Sequence, residues 1–235
     1  MTAAEVLAEI EPLGLESYRK VLRNHGIPDP MYGVKIEYLK VIQKRVKKDY
    51  QLAKELFDTG VFDAQYLAGL IADDAKMTKD DLNHWAAKAD NKSLSESTVP
   101  WVAAEGQFGW DLALEWIDSD RENMASTGWS TLSCLVSLKE NRELDLDRLQ
   151  ALLKRAQETI LQQPNRVRSV MNGFIIAVGS YVAPLADVAM ETALKIGKVQ
   201  IDVGATDCKV PYAPDYINKA RARGSLDKKK KTVKC

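Results

Sequence analysis

The sequence predicts an all-α protein, an α-solenoid of stacked antiparallel helix pairs curved around a concave groove. Three observations carry that prediction. Apolar residues recur at helical spacing along almost the whole chain, no alternating run of strand length interrupts them, and short connections join one helix to the next. About a dozen short helices are more than a single bundle core organises, so stacked pairs that bury their apolar faces against neighbours are preferred.

Taken in order, Ala3 to Asn24 reads as helix interrupted near Pro12 and Gly14, with Leu7, Ile10, Tyr18 and Leu22 among its apolar positions. The stretch His25 to Pro30 stops it, because two prolines and a glycine cannot continue a helix. Tyr32-Gly33-Val34 leads into a helix with Ile36, Leu39, Ile42 and Val46 on its inner face. Its other face carries Lys35, Lys40, Lys44, Arg45, Lys47 and Lys48, dense enough in charge to meet phosphates.

Tyr50 to Phe57 and Phe62 to Ile71 are two short helices joined at Thr59-Gly60, and Thr78 opens another that ends before Asn91. Pro100 to Glu105 and Trp110 to Ile117 follow, with Gly106 and Gly109 between them. Asn123 to Leu138 is apolar enough to be central. Leu146 to Leu161 is strongly amphipathic, and Pro164 to Tyr181 and Pro184 to Ile196 complete the long helices. Residues 1 to 205 are therefore read as one helical repeat domain. Residues 206 to 235 are read as a further helix and a basic, flexible tail containing Lys228, Lys229, Lys230 and Lys231.

Composition narrows function. Lys and Arg balance Asp and Glu at 33 each, but the ends of the chain are basic and the middle, roughly residues 49 to 122, is acidic. Such a dipolar molecule can hold a polyanion by its ends despite a neutral total. No apolar run reaches the roughly 18 residues of a membrane span, so no membrane association is expected. Cys134, Cys208 and Cys235 are too few for a disulfide framework and favour a reducing cytoplasm. His25 and His84 stand far from each other and from the cysteines, so no metal site and no cofactor is expected. Gly-rich phosphate loops and Ser-His-Asp or Cys-His nucleophile patterns are absent.

The junction Asp90 to Trp101 joins the two helical blocks. Ser95, Ser97 or Thr98 is expected to cap the helix that opens before Pro100, giving a helix N-terminus able to receive an anion. Lys92 and Glu96, four residues apart, would share a helical face and pair. Trp101 beside the junction is the tryptophan best placed to reach a cleft. Arg166 and Arg168 open the Pro164 to Tyr181 helix, where cations are not there to complement its dipole, and they suit phosphate contact.

Tyr32-Gly33-Val34-Lys35 with Leu39 and Ile42, the Asn91 to Pro100 junction, Gly128-Trp129, and Met171-Asn172-Gly173-Phe174 occur in an order and spacing that resembles the HEAT-like-repeat DNA alkylation repair proteins, the AlkC/AlkD superfamily. The resemblance spans residues 18 to 196. It implies a curved scaffold that binds duplex or damaged DNA as a monomer. In the best-understood branch it also implies hydrolysis of the N-glycosidic bond of cationic N3- or N7-alkylpurines, with a carboxylate and aromatic faces stabilising the developing cation.

That branch's Asn-Trp-Asp-x-x-Asp junction falls on Asn91, Lys92, Ser93 and Glu96, so Glu96 is the candidate catalytic carboxylate and Lys92 replaces an aromatic platform. A family Arg falls on Ser126, or on Thr127 if the alignment shifts by one, neither of them charged, and a second aromatic wall falls on Phe174. These replacements predict little or no alkylpurine release. The expected function is DNA binding in the cytoplasm, at the nucleoid; the alternative is a non-enzymatic solenoid that binds a protein partner or branched DNA. If Lys35, Lys40, Lys44, Arg166 and Arg168 line one groove, DNA is favoured.

Overall fold

A computed structural model describes residues 1–234; Cys235 lies outside the described residues. Thirteen α-helices and no strand occur among them. They are α1 (Ala3–Ile10), α2 (Glu16–Asn24), α3 (Ile36–Val46), α4 (Tyr50–Asp58), α5 (Phe62–Ile71), α6 (Lys79–Lys88), α7 (Val99–Glu105), α8 (Gly109–Trp116), α9 (Glu122–Leu138), α10 (Leu146–Thr159), α11 (Asn165–Tyr181), α12 (Ala186–Ile196) and α13 (Ala213–Ala222). The expected order of helices is present, and no single helix among them is long and apolar enough to cross a membrane.

Local chemistry sets the boundaries. Thr2 with Glu5 and Thr78 with Asp81 form reciprocal capping boxes at α1 and α6, while the Asp49 and Asp145 side chains accept from the first turns of α4 and α10. Each such cap contributes about 1 kcal/mol by occupying amides that have no helical acceptor.

Neighbouring helices pack face to face, α4 on α5, α8 on α9, α9 on α11, and α11 on α12 and α13. Their apolar faces build two successive cores. The first holds Trp85 stacked on Phe57 with ring centroids 4.2 Å apart, and the second holds Trp129 tilted against Phe174 at 5.2 Å. A Cβ on Gly128 would lie 2.7 Å from the Ile117 amide nitrogen, so glycine is what lets α9 approach the end of α8 this closely.

The loop between α2 and α3 is pinned from below. The buried Asp63 carboxylate of α5 accepts from the backbone amides of Tyr32 at 2.6 Å, Gly33 at 3.2 Å and Val34 at 2.7 Å. Gly33 has φ of 77°, a left-handed conformation that a side chain resists. That cradle explains the Tyr32-Gly33-Val34 motif physically.

The lysine-rich tail departs from the expectation of a flexible, solvated segment. Residues 227 to 234 run back as a strap across the helices. Asp227 N–H donates to Ser180 O at 3.1 Å, and Lys230 N–H donates to Ser137 O at 2.8 Å. The Lys229 side chain, 7% exposed, donates to Val136 O, Asn141 Oδ1 and Tyr181 O. Thr232 Oγ and Val233 N–H both donate to Glu105 Oε1, and Lys234 Nζ lies 2.6 Å from buried Asp74 Oδ1. Charge counted along a sequence cannot separate such inward lysines from their exposed neighbours Lys228 and Lys231.

Candidate nucleic-acid interface

The junction before α7 differs from a simple capped start. Asn91 supplies the cap: its Oδ1 accepts from Ser93 N–H at 3.1 Å and Leu94 N–H at 3.2 Å. Ser95 Oγ instead donates back to Asn91 O at 3.0 Å. Leu94–Thr98 is a π-helical turn, in which Val99 N–H reaches five residues back to Leu94 O. Pro100 accounts for it: the ring cannot donate to Glu96 O and would clash with it at α-helical spacing, and the wider turn relieves both problems.

Lys92 and Glu96 each find a partner from another part of the chain. Glu96 is gripped by Arg166 at the start of α11, with Nε to Oε1 at 2.6 Å and Nη2 to Oε2 at 2.5 Å. Lys92 Nζ lies within hydrogen-bond distance of His25 Nδ1, at 3.1 Å. Thus the expected Lys92–Glu96 pair is replaced by two cross-helix contacts. Glu122 of α9 completes the cluster by accepting from the Arg166 backbone N–H at 2.7 Å. Burial is the largest influence on Glu96 and holds its carboxyl above the ordinary range, against the opposing pull of Arg166 and then Lys92.

Glu96 and Trp101 border a groove of about 350 Å³ between α7, α9, α11 and the strap, lined by Ser130, Ser133, Ser137 and Ser169 and by the apolar Val170, Ala177, Tyr181 and Val233. Trp101 is 7% exposed and its ring stands perpendicular to that of Tyr66 at 5.6 Å, so little of it reaches the groove. A second trough of about 480 Å³ opens on the other side of Arg166, bordered by Arg23, His25, Lys92 and residues 202–205.

The remaining expected site residues scatter. Ser126 is fully buried with no hydrogen-bond partner for its Oγ among the described residues, and Phe174 is fully buried against Trp129, so packing withholds both from the groove. Lys229 is occupied by carbonyl groups. Arg168 is half-buried with its Nε unpartnered. Lys35 is exposed and 3.7 Å from Glu37, Lys40 is half-buried, and Lys44 lies in a separate trough with Lys47, Lys48 and Lys234. Lys35, Lys40, Lys44, Arg166 and Arg168 therefore do not line one groove. Lys228, Lys230 and Lys231 stand on the strap's exposed side, with Lys230 over the Tyr181 ring at 5.5 Å.

Sequence reasoning missed His25, Glu122 and Asp63 as partners, and the serine row of α9. The serine row was visible: Ser126, Ser130, Ser133 and Ser137 recur at helical spacing and mark a face where side chains must stay small.

This arrangement has relatives. Over 229 residues, 95% of this chain, the sequence is 35% identical to an uncharacterized protein of Listeria innocua and equally to one of Listeria monocytogenes, covering 99% of each. A solved structure from a new family of proteins related to the HEAT-like repeat DNA glycosylases, with affinity for branched DNA structures, superposes with a TM-score of 0.92 at 32% identity over the whole of both chains. The family model for the DNA alkylation repair enzyme matches residues 6–217. The chain belongs to the DNA alkylation repair enzyme family and has the HEAT-like repeat fold of those relatives.

Proposed function

We propose that this protein binds DNA through phosphates at the basic rims of its concave side, prefers branched over linear duplex, and does not excise alkylpurines. One observation carries the reading: Glu96, the carboxylate at the position expected to stabilise a cationic base, is neutralised by a two-pronged contact from Arg166 at 2.6 and 2.5 Å. A cationic base beside it would find Glu96 already paired and would meet Lys92, which has no carboxylate within ion-pair distance among the described residues. Two like unit charges about 4 Å apart repel by roughly 4 kcal/mol at a near-surface dielectric, which disfavours the lesion, whereas a phosphate meets the same cations with favourable sign. Trp101 is only 7% exposed and Phe174 is fully buried, so little aromatic face is open to offer cation–π compensation.

The affinity for branched DNA structures recorded for the related fold supports the choice of ligand. The test pairs two assays: base release from duplex carrying N7-methylguanine or N3-methyladenine, and binding to four-way junctions beside linear duplex. No release together with tighter junction binding is expected. Robust release that persists in Glu96→Gln would overturn the assignment.

A further inference from the structure

The strap divides the basic surface. Lys230 and Val233 border the groove beside Glu96, whereas Thr232 and Lys234 border a trough of about 450 Å³ shared with Lys44 of α3 and with Lys47 and Lys48 just beyond its end. We propose that this α3 trough is a second phosphate-contacting surface, and that it and the Arg166–Lys92 rim hold two different arms of a branched DNA on the two sides of the strap. The inference rests on the DNA-binding reading above and specifies how a branch is told from a single duplex.

Charge within the trough is arranged for an external anion. Lys48 and Lys234 share the single buried carboxylate of Asp74 at 3.0 and 2.6 Å, and Glu105 is occupied by Thr232 and Val233. Lys44 and Lys47 are exposed and have no carboxylate within ion-pair distance among the described residues. Glu105 keeps its charge, since its donors are neutral, but four lysines still outnumber the two carboxylates, and the trough keeps net positive charge.

A second observation singles out Lys47. It has φ of 64° and ψ of −110°, a backbone conformation that non-glycine residues avoid, and its N–H still closes α3 by donating to Gln43 O at 2.7 Å. Glycine would fit that turn without strain, yet a lysine stands there and projects into the trough.

The experiment titrates the full-length protein, its Lys44→Glu/Lys47→Glu variant and its Lys47→Gly variant against a four-way junction and a linear duplex by fluorescence anisotropy at several salt concentrations. The charge-reversal variant is expected to lose at least about tenfold in junction affinity, with the log–log salt slope reduced by about 2, while linear duplex changes less than about twofold. Lys47→Gly should melt higher than the parent and still bind the junction more weakly, which a purely structural lysine would not do. Equal losses on both DNAs would show one continuous track and overturn the two-arm arrangement; unchanged junction binding would remove the trough from DNA contact altogether. A parent protein that binds neither DNA sinks the DNA-binding reading itself, so the two failures are distinguishable.

Discussion

Glu96 and Arg166 are 70 residues apart in sequence and share two short hydrogen bonds across the concave face. The pair is asymmetric. Arg166 sits at the edge of the outer trough and can turn into solvent when its partner is lost, whereas Glu96 is the more enclosed member, with 18% of its side chain exposed against 29%. Arg166→Ala should therefore destabilise by about 2 kcal/mol, below the range for a fully buried pair, and Glu96→Gln by clearly less. Urea unfolding of the two variants measures the order; equal costs would contradict it.

Acid sensitivity should trace to Asp81. Burial works to raise its carboxyl, but hydrogen bonds from Lys54, Thr78 and Tyr50 outweigh it and hold it well below the usual 3.8. A depressed carboxyl contributes stability that is complete above the unfolded value and is lost as pH falls through that value toward the folded one. Stability should thus drop below about pH 4 in the parent and less in Asp81→Asn, read from thermal melts between pH 2 and pH 6.

The strap makes a prediction about truncation. Removing residues 228–234 deletes the Lys229 contacts and the Lys234–Asp74 pair, and should lower stability by about 3 kcal/mol. Lys228→Ala and Lys231→Ala, both exposed, should stay within about 0.5 kcal/mol. Denaturant midpoints compare them directly, and a truncated protein as stable as the parent would refute the docked strap.

Thiol chemistry should separate two cysteines. Cys134 borders the groove and is half-buried, yet desolvation pushes its thiol up to about 12, so almost none is thiolate at pH 8, whereas Cys208 is exposed. Brief treatment with a maleimide should label Cys208 and spare Cys134 by peptide mapping. Labelling of Cys134 in the folded protein at a comparable rate would show that the groove admits reagents freely.

Much of the fold could be read directly because it is written in short-range patterns. Thr78 three residues before Asp81 announces α6, and Ile36, Leu39 and Ile42 announce the buried face of α3. The site was less legible for the opposite reason. The i, i+4 rule joins Lys92 to Glu96, but His25 and Arg166, distant in sequence, take the two side chains instead. Arg166 reads as a free cation because nothing near it in sequence is acidic; Glu96 and Glu122 arrive from other helices. Asp63 looked like one acid in an apolar helix, and its three amide donors belong to a loop about 30 residues earlier.

A stack of helix pairs normally couples each unit only to its neighbours, so that it can fray from either end. Here Lys234 donates to Ala72 O across 162 residues and pairs with Asp74, while Val233 packs against the first core. The stack is closed into a ring of dependencies, in which the early helices reach their full protection only when the strap has docked. Opening should accordingly be concerted across both cores, and during synthesis the first repeats must wait for residues 229–234 to emerge before the assembly locks.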